Sequence, residues 1–224
     1  MRQKSSRGTR AYPRKDAADW EVSGAIADIA MAPWGMGSTK TAEARLRCAL
    51  KLVPDHPEGL NLLAQVCAQT SRHKEAFSLL ERGIAALATR PADLVLFGTA
   101  LAETYEARKD FRRAKAVYER CLQAVDAAGF HSGLGYCLGK LGDLRGAVRH
   151  AEAASKLAPG RANYLSDWGW SLIEVGRPAE ALPLLERAVA MDPADELAHG
   201  NLEHCRMLLS APAPRPRKRR GKPK

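Results

Sequence analysis

The sequence has no apolar run approaching the ~20 residues needed to span a bilayer. The nearest candidate for a signal core, Ile26 to Ala32, is interrupted by Asp28 and does not closely follow the basic start of the chain. Cysteines are few and unpaired in pattern: Cys48, Cys67, Cys121, Cys137 and Cys205 are odd in number, scattered, and form no C-x-x-C. That usage argues against a disulfide framework and for a reducing compartment, so a soluble, cytoplasmic chain is expected. Also missing are G-x-x-x-x-G-K-[ST], H-E-x-x-H and G-x-S-x-G, hence the usual phosphate loop, zinc helix and nucleophile turn. The glycines at 35–37 and 133–135 read as a turn and as close helix packing. His199, His204 and Cys205 lie close together in sequence, yet one helix cannot direct all three at a single ion. No metal, cofactor or small-molecule substrate is expected, and an enzyme is disfavoured.

Acidic residues are absent from both ends. Residues 1–15 carry six basic side chains and no acid, and residues 211–224 carry seven and no acid. Those thirteen belong to a total of 35 Lys and Arg, which leaves 22 against the chain's 25 Asp and Glu, a formal charge of −3 for the middle. The overall +10 is thus a property of the ends. Stretches 1–19 and 211–224 are expected to be basic disordered tails, because they hold too little apolar surface to order themselves. Arg215, Arg217, Lys218, Arg219 and Arg220 could neutralise phosphates of a nucleic acid, each adding a salt-dependent increment. The alternative is a solubilising tail, and neither end carries an aromatic cluster for base stacking.

Between the ends the chain repeats. Residues 142–159 and 176–193 superimpose with a shift of 34, and the shift carried upstream aligns 109–126, 71–88 and 37–54. Their anchoring alanines are Ala42, Ala76, Ala114, Ala147 and Ala181. Each segment follows a second pattern with positions i, i+3, i+4 and i+7 on one helical face. These sets are Ile26/Ile29/Ala30/Pro33, Leu60/Leu63/Ala64/Cys67, Gly98/Leu101/Ala102/Tyr105, His131/Leu134/Gly135/Leu138 and Leu165/Trp168/Gly169/Leu172. Two helices per repeat follow. Three slots are small in every repeat: Ala30, Ala64, Ala102, Gly135 and Gly169 in the first helix, the five anchoring alanines, and Ala49, Gly83, Cys121, Ala154 and Ala188 beyond them. Small side chains let antiparallel helices approach closely, since the residues at a contact set the interaxial distance. Pro54, Pro159 and Pro193 close three of the second helices.

This pattern resembles the tetratricopeptide repeat family, W-x2-L-G-x2-Y, then A-x3-F, then a closing proline. The resemblance implies an all-α fold, a right-handed superhelical solenoid of antiparallel helix pairs with four to five repeats and a C-terminal capping helix. The expected units are a degenerate repeat at 20–56, repeats at 57–90, 95–127, 128–161 and 162–195, and a cap at 196–210. Pro33 marks the first unit as degenerate, four extra residues around Thr89 to Ala92 lengthen a loop, and Pro183 kinks a helix mildly. His199, Glu203 and Arg206 take the packing slots of the last unit, which reads as a polar cap. The cysteines read as small core hydrophobes, and His131 and His199 as core fillers.

In this family the first helix of each pair lines the concave side. Counting from the small slots, the residues expected to face that groove are Asn61 and Gln65; Thr99, Glu103 and Glu106; Ser132 and Tyr136; Asn163, Ser166 and Trp170. Amides can bond a peptide backbone and rigid aromatics supply contact area, so the expected function is a non-catalytic adaptor or assembly factor holding a partner segment. Some members grip the acidic C-terminus of cytosolic chaperones with a Lys/Asn/Arg clamp. Here Glu103 and Glu106 stand in the groove without matching basic residues, which disfavours such a partner. The other readings are a nucleic-acid- or ribosome-associated protein anchored by its tails, and a secretion chaperone.

Overall fold

A computed structural model of the chain describes residues 13–210. Arg215, Arg217, Lys218, Arg219 and Arg220 lie outside the described residues, as do the first twelve positions. Among the described residues there are eleven α-helices and no strand: α1 (Arg14–Met31), α2 (Thr39–Leu52), α3 (Pro57–Gln69), α4 (His73–Ala86), α5 (Pro91–Ala107), α6 (Phe111–Leu122), α7 (Ala128–Lys140), α8 (Leu144–Leu157), α9 (Ala162–Glu174), α10 (Pro178–Met191) and α11 (Glu196–Ser210). Successive helices pair, and each pair stacks on the next, with odd-numbered helices packing on one another along one side. The fold is a solenoid.

Local chemistry explains the segmentation. Ser38, Asp110 and Asp143 each accept a hydrogen bond from the backbone N–H three residues on, at 3.0, 3.2 and 2.8 Å, and so open α2, α6 and α8. Proline at the first helical position opens α3, α5 and α10, where its missing N–H costs nothing. Pro54, Pro159 and Pro193 each stand two residues beyond a helix end. Within each of the five odd-to-even turns one residue adopts a left-handed backbone: Gly35, Ser71, Lys109, Gly142 and Gly176.

Fourteen of the fifteen small slots are buried. Ala30 is the exception, and with it the frame expected for the first unit fails. Pro33 has no N–H to bond the carbonyl four residues back, so α1 gives way after Met31 to a 3-10 turn over Ala32–Trp34, and it reaches back to Arg14, into the stretch expected as a tail. Its buried face is Ala18, Val22 and Ala25, whereas Ile26 is exposed. The last unit is likewise shifted by one residue: α11 buries Ala198, Asn201, Leu202 and Cys205. His199 is therefore exposed, its Nε2 3.1 Å from the Pro193 carbonyl, and Glu203 and Arg206 also face outward. The outer face is not simply polar, since Leu197, Met207, Leu208 and Leu209 are exposed. The extra residues around Thr89 lengthen a helix more than a loop, because Pro91 and Ala92 form the first turn of α5. Cys48 is exposed, not core; the other four cysteines are buried, and burial pushes the Cys67 and Cys121 thiols up to about 12.

The core has a seam. One buried apolar cluster runs from Ala18 in α1 to Ala147 in α8. A second begins at Val148 and joins Leu172, Ile173, Leu185, Leu202 and Cys205 of α9, α10 and α11. The boundary falls within α8, the buried Phe130, Leu134, Cys137 and Leu138 of α7 belonging to the first cluster, and a third small cluster holds Leu165, Ala188 and Ala198.

Candidate functional site

α7 is built from AGFHSGLGYCLGK, with glycine at 129, 133, 135 and 139. A helix so poor in side chains leaves space on the side where odd-numbered helices line up, and a cleft of about 710 Å³ opens there between α5, α7 and α9. Gly133 has a second consequence. A Cβ placed on it would lie 2.2 Å from the Tyr118 ring, so only glycine lets this tyrosine of α6 pass under α7 and reach the cleft floor. Tyr118 is 2% exposed.

The floor is acidic. Glu106 of α5 accepts a hydrogen bond at 3.5 Å from the Cys137 thiol, and the Tyr118 hydroxyl also acts to hold its carboxyl down. Asp167 of α9 accepts one from the Ser132 hydroxyl at 3.1 Å. Burial raises both carboxyls above their ordinary range; the hydrogen bonds oppose that shift, while neighbouring Glu103 adds to it for Glu106 and Asp195 for Asp167. Glu174 lies along α7 as well, its Oε2 3.6 Å from where a Gly139 Cβ would stand. The basic side chain lining the cleft is Lys140, and its ammonium sits 5.1 Å from the centre of the Tyr136 ring.

The rim is aromatic and apolar. Tyr136 is 49% exposed and meets Phe111 edge-on at 5.9 Å; Trp170 is 39% exposed and packs at 5.7 Å against His204 of α11. Leu197, at the start of α11, completes the rim and is 67% exposed.

The cleft brings together seven of the ten residues expected in the groove: Thr99, Glu103, Glu106, Ser132, Tyr136, Asn163 and Trp170. Ser166 is a correction. It is 2% exposed and accepts a hydrogen bond at 3.0 Å from Asn201 of α11, so its hydroxyl is committed to holding the last helix. Asn61 and Gln65 bond each other at 2.9 Å on α3, and Gln65 lines a separate shallow depression with Arg108. Glu103 lines both this depression and the cleft, so the expected row continues from Gln65 into the cleft, and Asn61 lines neither. Asp167, Glu174 and Tyr118 were missed. The strip 163–167–170–174 follows the 3–4 helical spacing through Trp170, and continuing that spacing would have chosen Asp167 over Ser166. Tyr118 occupies the aromatic position of A-x3-F after Ala114, and nothing in α6 alone signals that Gly133 opens a path for it.

His131 fills no core. It is half-buried, with Nε2 2.8 Å from Asp126 and Nδ1 2.8 Å from Nδ1 of His150, whose ring stacks on it. Among the described residues no three His, Cys, Asp or Glu side chains are grouped to hold a metal ion, and no helix is long and apolar enough to cross a membrane.

Stacked antiparallel helix pairs with small residues at their contacts and a cleft on the side of the first helices define an α-solenoid of the kind that binds other proteins. Family models described as tetratricopeptide repeat match residues 28–91 and 166–202, and residues 99–130. The chain belongs to the tetratricopeptide repeat family. Among curated proteins it is similar to the Protein CTR9 homolog of Arabidopsis thaliana, 26% identical over 159 residues; the match takes in 69% of this chain and 14% of that much longer protein. Among solved structures it resembles YrrB, a TPR protein with an unusual peptide-binding site, at TM-score 0.54 and 18% identity, covering 84% of this chain and 93% of that one. It also resembles MamA of Desulfovibrio magneticus RS-1, at TM-score 0.54 and 16% identity, covering 81% of this chain and 98% of the other. At such identities these likenesses establish the fold alone.

Proposed function

We propose that this protein is a non-catalytic adaptor that holds a segment of a partner protein in the cleft between α5, α7 and α9. The observation that carries the reading is the pair Tyr136 and Trp170, equivalent positions of adjacent repeats that stand partly exposed at one cleft of about 710 Å³. A soluble monomer gains nothing from leaving two large aromatics at a concave surface, whereas rigid aromatics over a pocket are what binding hot spots are made of. YrrB, of like fold, has a peptide-binding site, which supports the same use of this one. The nucleic-acid reading gains no support from the cleft, whose carboxylates repel a polyanion; it rests on the two basic ends, with Arg215, Arg217, Lys218, Arg219 and Arg220 in the second.

The test uses a displayed library of random 12-residue peptides panned on the full chain. Peptides should be enriched, and Tyr136→Ala or Trp170→Ala should weaken the enriched peptides by about 1–2 kcal/mol or more while leaving Tm nearly unchanged. Loss of about 3–5 kcal/mol of stability in either variant, with no selective binding by the parent chain, would make these rings packing residues and remove the site.

A further inference from the structure

Many carboxylates outside the cleft are paired with a cation. Along the side formed by the even-numbered helices they pair with arginine: Glu43 takes Arg72 through two bonds of 2.6 and 2.7 Å, and Glu81 takes Arg120 at 2.7 and 2.6 Å. Asp28 and Glu21 share Arg45 near the N-terminus. The four carboxylates of the cleft, Glu103, Glu106, Asp167 and Glu174, are different. Among the described residues none of them makes an ion pair within 4.0 Å, and Glu106 and Asp167 are held by the neutral donors Cys137 and Ser132. A partly buried carboxylate without a cation costs free energy, and a ligand cation removes that cost on binding.

The second observation is the shape of the surroundings. Above the acidic floor stand Tyr136 and Trp170, and an aromatic face accepts both the ammonium or guanidinium head of a basic side chain and its apolar stem. Lys140 already shows the first of these with Tyr136.

We infer that the segment held in the cleft is an extended polypeptide bearing arginine or lysine, with one basic head paired to Glu106, another to Asp167, and their stems lying against Tyr136 and Trp170. This rests on the adaptor reading and narrows it to a partner of basic chemistry. Acidic termini and polyanions are thereby excluded from this cleft. The net charge of +10 resides in the ends of the chain and the rest carries −3, so it is the comparison with Glu106→Gln, Asp167→Asn that separates local complementarity from general attraction.

The test sorts the peptides enriched by the full chain. Arginine and lysine should be over-represented, and replacing them with glutamine in a labelled peptide should weaken binding at least tenfold by fluorescence anisotropy. On the double variant Glu106→Gln, Asp167→Asn that penalty should disappear, while the Tm of the variant stays equal to or above the parent's, because two partly buried charges have been removed. Enriched peptides without basic residues, or an undiminished penalty on the double variant, would overturn the inference and leave the adaptor reading standing. No enrichment at all would sink both. If the full chain selects nothing but selects basic peptides once Arg215, Arg217, Lys218, Arg219 and Arg220 are changed to Gln, the occupant is the chain's own C-terminal stretch, and the proposed partner is wrong.

Discussion

Lys109 stands in the turn between α5 and α6 with φ of +58°, a left-handed backbone that costs a side-chain-bearing residue about 1 kcal/mol. The equivalent turn between α7 and α8 uses Gly142, at φ +87°, with nothing near the place a Cβ would occupy. The two positions form a natural pair for measuring what the turn demands, because packing is absent from the comparison. Lys109→Gly should stabilise the protein by about 0.5–1 kcal/mol after the entropy that glycine adds to the unfolded chain, and Gly142→Ala should destabilise it by about 1 kcal/mol. Urea denaturation of both variants checks the pair, and equal effects of the same sign would mean that the turn does not select its backbone. Gly133 obeys a different rule: it is required by the Tyr118 ring beside it, not by its own torsion angles.

α7 shows how much one helix decides. Its glycines open the cleft, its Ser132 and Cys137 donate to the two partly buried carboxylates, and its His131 stacks on His150 of α8. Burial, His131 and Arg149 lower His150 below its ordinary 6.5, against the raising influence of Glu119 and Asp143, so the folded protein resists a proton that the unfolded chain accepts. The unfolded state then binds more protons as pH falls through about 6.5, and stability declines in that direction. His150→Gln should therefore show a flatter fall in Tm than the parent between about pH 6.5 and 5; parallel curves would mean that His150 does not resist protonation. The helix pairs themselves were legible in the sequence, because small slots and period agree across the central repeats, where every helix is packed on two sides. The frames of α1 and α11 were not. A terminal helix packs on one side only, so Ala18, Val22 and Ala25, or Ala198, Asn201 and Cys205, satisfy it without matching a slot pattern learned from two-sided neighbours. The aromatic rim and Glu106 were legible as positions after a small slot. Asp167 and Tyr118 were not, since their placement depends on side chains that α7 lacks.

Across the whole molecule the seam in the core sets the pattern of stability. Stacked repeats contact only their neighbours, so stability propagates from pair to pair, and a break in buried apolar contact is a place where one part can open while the other holds. The break falls between Ala147 and Val148, where the cluster running from α1 ends and the one joining α8 to α11 begins. Leu185 of α10 is fully buried in the second cluster, and Leu185→Ala should cost about 2–5 kcal/mol. Because that loss is local to the C-terminal part, amide hydrogen exchange over 162–210 should accelerate by about tenfold or more, while α3 to α6 keep their protection. Exchange followed by mass spectrometry resolves the two regions. Equal acceleration along the whole array would show that the solenoid unfolds as a single unit and that the boundary in α8 does not divide its stability. The predicted asymmetry also bears on binding. The cleft takes α5 from one side of the seam and α9 from the other, so a segment lying across both should restore protection to 162–210 in the Leu185→Ala variant, as a ligand that binds only the folded state must.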